Sequence, residues 1–221
     1  MSTTPAAAQP VGLEGKLKRA NVFFELPVSL RSRLIAVVAA LLLIPSFLFP
    51  LYELTLYSNQ FPDGLNLYIY SYSLAGGHPQ GRDDLREINT LNHYIGMRPL
   101  LESDFSEFKW IPLVVGLFFI LALRAAVVGK MANLVDLSVM FLYFGLFSLW
   151  SFYHRLNEYG HNLDPMAAVK VPPFTPPLFG EKQLANFTVY SYPGVASFLL
   201  IAFFLLLALA VWMSRKPRVA Q

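Results

Sequence analysis

Four stretches of this chain are long and apolar enough to cross a bilayer, and they dictate what it can fold into. They cover residues 31–57, 110–128, 131–153 and 194–214. Each approaches or exceeds the ~20 residues a helix needs to span a hydrocarbon core of ~30 Å. In lipid, backbone polar groups must be satisfied within the segment, so each stretch is expected to be a helix. Pro45 and Pro50 should kink the first near its outer end. Only Gly129–Lys130 separates the second from the third, which demands an antiparallel hairpin. The expected fold class is an all-α membrane protein, with a little strand and one amphipathic helix confined to its loops.

Charge sets the orientation. Lys16, Lys18, Arg19, Arg31 and Arg33 precede the first span, Arg124 and Lys130 sit at the hairpin, and Arg215, Lys216 and Arg218 follow the last span. All three groups fall on one side of a four-helix arrangement, which predicts cytoplasmic termini. Residues 1–30 and 215–221 then read as cytoplasmic tails, the first with an interfacial piece near Phe23–Phe24 and without a cleavable signal peptide. The loops 58–109 and 154–193 face the other side. The basic residues behind the formal charge of +3 gather beside the spans and form no nucleic-acid-binding block, so nucleic acid is not an expected partner; the lipid bilayer is.

The two loops differ in character. Residues 65–74 alternate, are rich in tyrosine, and read as a strand ended by Gly76–Gly77. Leu85, Ile88, Leu91 and Ile95 recur at helical spacing behind Asp83 or Asp84 as N-cap. On that helix Asn89, His93 and Met97 form an i, i+4, i+8 row, although Gly96 and Pro99 threaten to end it before Met97. In the second loop the third helix is free to run on as far as Gly160. The four prolines in residues 171–178 then favour an extended path. Residues 186–194 are suited to pair with the tyrosine-rich strand.

All four histidines lie in these loops and the chain has no cysteine. Imidazole suits copper in either oxidation state and thioether favours cuprous copper, so His93, Met97, His161 and Met166 are the candidate metal ligands. The alternative is that the histidines bond the loop backbone and the methionines fill gaps. A second candidate feature is the apolar tip Phe174, Leu178 and Phe179, which either meets a partner or roofs the protein's own helices. A third is Arg124 with Asp136, at similar depth on either side of the hairpin and read as a structural ion pair. No GxSxG, Walker loop or HExxH is present, so no catalytic residues are assigned and an enzyme is not expected.

The strings INTLNHYIGM (residues 88–97) and YGHNLDPMAAVKVPPFTPPLFGEKQLANFTVYSYPG (residues 159–194) resemble the NosB-like family. These are small polytopic membrane proteins encoded beside clade II (atypical) nitrous oxide reductases. The resemblance covers the loops and the four-span layout, about half the chain. It implies a multi-pass protein of the bacterial inner membrane that serves periplasmic nitrous oxide respiration. The expected role is a non-enzymatic accessory, docking the periplasmic copper reductase or helping supply its copper. The alternative is a structural subunit of a larger respiratory membrane complex with no metal of its own.

Overall fold

The expectation of an all-α chain fails at Pro45. Proline has no N–H to continue the ladder of the first span, so its helix stops at Leu42. A tight turn over Pro45–Phe47 follows, and after Pro50 the chain extends as a strand, Tyr52–Tyr57. The computed structural model describes residues 12–184 and 187–215; the start of the first tail, Lys216 and Arg218 lie outside the described residues. The chain runs α1 (Leu13–Glu25), α2 (Leu30–Leu42), β1 (Tyr52–Tyr57), β2 (Leu65–Ile69), β3 (Leu74–Gly76), α3 (Asp84–Tyr94), α4 (Glu107–Val128), α5 (Met131–His161), β4 (Gly180–Leu184), β5 (Phe187–Pro193) and α6 (Val195–Ser214). The fold is therefore mixed, with a five-stranded antiparallel sheet ordered β3-β2-β1-β5-β4. Residues 13–25, expected to be tail, are helical: Leu13, Leu17 and Phe24 share one side, with Lys18 and Arg19 turned away from it.

Four helical segments are long and apolar enough to cross a membrane: Leu30–Phe47, which is α2 with the tight turn that follows it, Glu107–Val128, Met131–His161 and Val195–Ser214. They close a ring in which α2 and α5 each pack on both α4 and α6. Alanines at 36, 39, 40, 122, 125, 126 and 210 are buried between them, so the backbones approach closely. Toward the sheet end the seam turns aromatic, with Phe141 at 4.6 Å from Phe203 and 5.0 Å from Phe118. The outward positions are also apolar: Leu34, Leu113, Ile120, Val139, Leu146, Phe198 and Leu205 are all exposed. A continuous apolar exterior of this kind suits hydrocarbon rather than water.

The helix ends are tied differently. At one end Val28 N–H donates to Gly129 O (2.8 Å) and Met131 N–H to Leu26 O (3.0 Å), lacing the segment before α2 onto the α4–α5 turn. Gly129 takes a φ of +67°, and any side chain there would run into the Arg33 guanidinium. At the other end α2 and α6 feed β1 and β5 directly, which is why those strands are adjacent and the sheet grows outward from them. The tyrosine-rich strand β2 therefore pairs with β1, and not with β5 as expected from the sequence. Alternation then divides the sheet. Tyr52, Leu54, Leu65, Leu67, Val189 and Ser191 are buried on its inner face, while Glu53, Thr55, Tyr57, Tyr68, Tyr190 and Tyr192 occupy the other.

Candidate functional site

The two long loops meet over the inner face of the sheet. Gly96, at φ +79°, ends α3, and Met97 N–H bonds back to Asn92 O (2.8 Å). That end receives the second loop: Asp164 N–H donates to Gly96 O (2.8 Å) and Val169 N–H to Tyr94 O (2.9 Å). The chain then turns back across the last turn of α5, where Phe174 N–H donates to Gly160 O (3.0 Å). From there the prolines carry it along the sheet as a strap. The Tyr52 hydroxyl donates to Leu178 O at the far end of the strap. Burial pushes that hydroxyl up to about 12, against the opposing effect of Ser191, so it remains a donor at any ordinary pH. Asn157 holds the middle through Thr175 Oγ1 (2.9 Å), and Lys182 bonds Thr175 O (2.9 Å).

Under the strap lies a cavity of about 550 Å³, partly open to the outside. Leu54, Leu67, Ile69 and Val189 line it from the sheet, Ile88 and Leu91 from α3, Phe152 and Leu156 from α5, and Val171 and Phe174 from the strap. Close-packed interiors leave few voids larger than a water, whereas small-molecule pockets run from ~300 to ~1,000 Å³.

Polar groups are few on this wall, and most are already engaged. Arg155 donates from Nε to Glu107 Oε1 (3.3 Å), from Nη2 to Glu107 Oε2 (3.4 Å) and from Nη1 to Glu158 Oε2 (3.2 Å). Ser151 adds a bond to Glu107 (2.8 Å) and Arg98 one to Glu158 (2.9 Å), which closes the network. Two groups are left over. Asn92 Nδ2 and the Tyr159 hydroxyl are buried, with no hydrogen-bond partner. The Asp104 carboxylate is the polar side chain beside that hydroxyl. Both residues line the cavity. The sequence singled out neither: on this stretch of α5 only His161 stood out, as a candidate metal ligand, and Arg155 and Tyr159 before it were passed over.

The candidate metal ligands are brought onto neighbouring loops but into four separate surroundings. Met97 lines the cavity. His93 sits outside it, in a shallow surface depression with Asp83, Arg86 and Asn89. His161 Nδ1 bonds Asn157 O (2.9 Å), and Met166 is 88% exposed. Among the described residues no cluster of three or more His, Asp or Glu is placed to hold a metal. Of the apolar tip, Phe174 faces the cavity, Leu178 is fixed through its carbonyl, and Phe179 stays 54% exposed beside the Tyr52 ring at 6.0 Å.

Arg124 and Asp136 are both exposed and do not come within ion-pairing distance of each other. Equal depth in a hairpin does not set the direction in which a side chain leaves its helix. The hairpin is held instead by Arg33, which donates to Val28 O and Val127 O (3.3 Å each), and by Lys130 with Glu25 (3.4 Å). A double-substitution cycle with Arg124→Leu and Asp136→Leu, read as membrane-inserted yield, is therefore expected to be additive within ~0.5 kcal/mol. Coupling well above that would restore the pair.

Comparison of the chain with protein-family models, with curated proteins and with solved structures finds no match in any of the three.

Proposed function

We propose that this chain is an integral membrane protein that binds a lipid-soluble molecule in the cavity between its sheet and its proline strap. In this reading it is a non-enzymatic accessory of periplasmic nitrous oxide respiration in the bacterial inner membrane. The observation that carries the binding role is the cavity itself, apolar, of ligand size and partly open. Its position suits the role. Trp110 and Trp150 lie at the sheet end of α4 and α5 and Trp212 near the opposite end of α6, the spacing of two interfacial belts. Phe152, Leu156 and Tyr159, which wall the cavity, then stand from about half a turn to about two and a half turns above Trp150, within reach of molecules dissolved in the bilayer. The basic residues at the hairpin end support a cytoplasmic face there and a periplasmic face for the sheet.

The setting in nitrous oxide respiration rests on the resemblance of the loops, and its test is co-purification with the reductase machinery. Copper supply finds less support than docking or ligand handling, since the four histidine and methionine side chains do not share one surrounding.

The binding role is tested on the full chain purified in mild detergent. Native mass spectrometry is expected to show a bound lipophile, and the stripped protein should take up an environment-sensitive apolar dye. Leu156→Trp, which places an indole in the cavity, should cut dye uptake at least ten-fold while the protein stays folded. Neither bound lipophile nor saturable uptake in the unmodified protein would remove the proposal.

A further inference from the structure

The charge of the cavity lining is one-sided. Arg155 and Lys182 are its charged side chains, both cations, and no carboxylate lines it. Arg155 is matched from behind the wall by Glu107 and Glu158. Lys182 is not. Its ammonium donates to Thr175 O (2.9 Å), and among the described residues no carboxylate comes within ion-pairing distance of it. A peptide carbonyl occupies one of the ammonium's three donors and leaves its charge unneutralised.

The place of that charge matters as much as its sign. Lys182 lies on β4, the edge strand, opposite Val189, so alternation turns it to the inner face of the sheet. Most residues around the cavity are buried or half-buried, and the exposed ones are Pro172, Pro173, Lys182 and Gln183. All four belong to the strap or to β4, so the cavity opens between these two segments and Lys182 stands in its mouth. Behind the mouth the walls are almost wholly hydrocarbon. We infer that the molecule in this cavity is an anionic amphiphile, its hydrocarbon chain under the strap and its acidic head on Lys182 Nζ; this rests on the cavity being a binding site. The chain leaves water, while the head stays at the rim, partly hydrated and opposite a positive charge. A neutral head would gain less from the ammonium, and a cationic head would be repelled by it. Two membrane sources carry such a head, the carboxylate of a free fatty acid and the phosphate of a phospholipid.

The test uses the full chain, stripped of lipid in a neutral detergent, with four probes that displace the bound dye. These are hexadecanol, palmitate, hexadecyl phosphate and hexadecyltrimethylammonium, which share one chain length and differ in the head. At least one of the two anions is expected to bind about ten-fold tighter than hexadecanol, the gain of a charge-assisted hydrogen bond, and the cation to bind more weakly. Raising salt from ~0.1 M to ~1 M, which shortens the Debye length from ~10 Å to ~3 Å, should shrink that preference in the unmodified protein. Lys182→Gln should abolish the preference and Lys182→Glu turn it toward the cation, whereas Lys182→Arg should keep it. Unchanged hexadecanol binding in these variants reports that the cavity is still folded. Preference for palmitate assigns the ligand to fatty acid, and preference for hexadecyl phosphate assigns it to phospholipid. Hexadecanol binding as tight as both anions, or an anion preference that persists in Lys182→Glu, overturns the inference and leaves the cavity reading standing. Failure of all four probes to displace the dye removes both.

Discussion

A chain with valine in place of Gly160 is expected to lose uptake of apolar probes into the cavity almost entirely, while its four apolar helices still insert. Gly160 is the point where the strap crosses α5. A Cβ there would run into the Phe174 carbonyl, which is backbone and cannot swing aside as a side-chain tip can. The same step breaks the Phe174 N–H bond to Gly160 O. Overpacking costs ~1–3 kcal/mol and a lost hydrogen bond adds ~1 kcal/mol, enough to favour a detached strap over a strained one. With Phe174 and the prolines lifted, one wall of the cavity becomes open water, and uptake should fall by more than ten-fold. Limited proteolysis should then cut within residues 162–179, a stretch the parent protects. Gly116 supplies the control, since nothing lies near a Cβ built there and Gly116→Val should bind like the parent. Normal uptake by the Gly160 variant would mean that the strap is not the roof.

Why the cavity under the strap escaped a reading of the sequence, although the extended path of the prolines did not, is clearest at β1. Residues 51–57 break the apolar stretch only at Glu53 and Thr55, so hydropathy extends the first span through them. The contrary signal was the period of two: Tyr52, Leu54 and Leu56 alternate with Glu53, Thr55 and Tyr57, immediately after two prolines. Once β1 is a strand, β5 has a partner and the loops a platform. The amphipathic helix α3, by contrast, was legible from local rules alone. Asp83 accepts from Leu85 and Arg86 N–H (3.1 and 3.3 Å), Ile88 is buried, and Gly96 ends the helix before Met97 can complete the row with His93. The apolar spans were legible for a similar reason, since length and hydropathy are properties of one segment. Asn92 and Tyr159 meet the same cavity only through a long-range arrangement of α3, α5 and the strap, and no spacing along the chain encodes that. The histidines drew attention because their chemistry is distinctive, whereas an asparagine and a tyrosine become informative only when buried without partners.

The largest single loss of order in the sheet domain is expected from Asp84→Ala. Asp84 is fully buried, and its carboxylate bonds Arg82 Nε through Oδ1 (2.7 Å) and the Asn66 backbone N–H through Oδ2 (2.9 Å). Its own N–H donates to Gly77 O (3.0 Å), while Arg82 reaches on to Gly64 O (2.8 Å). One side chain thus joins the start of α3 to β2, two facing walls of the cavity. Removing one partner of a buried pair strands the other charge, at a cost of ~3–5 kcal/mol. Arg82 keeps 28% exposure, so water recovers part of that and the lower figure of ~3 kcal/mol applies. In hydrogen exchange this corresponds to roughly a 10²-fold loss of protection across β2 and α3, at ~1.4 kcal/mol per decade. The neighbouring Asp83→Ala removes only an N-cap worth ~1 kcal/mol, so its effect should be confined to the first turn of α3 and stay below ten-fold. The comparison is decisive because the two aspartates are adjacent and change charge equally. Equal losses from both would show that net charge, and not the buried clamp, holds α3 against the sheet. Protection lost at Asp84 alone, together with weaker probe uptake, would tie the stability of this joint to the cavity it frames.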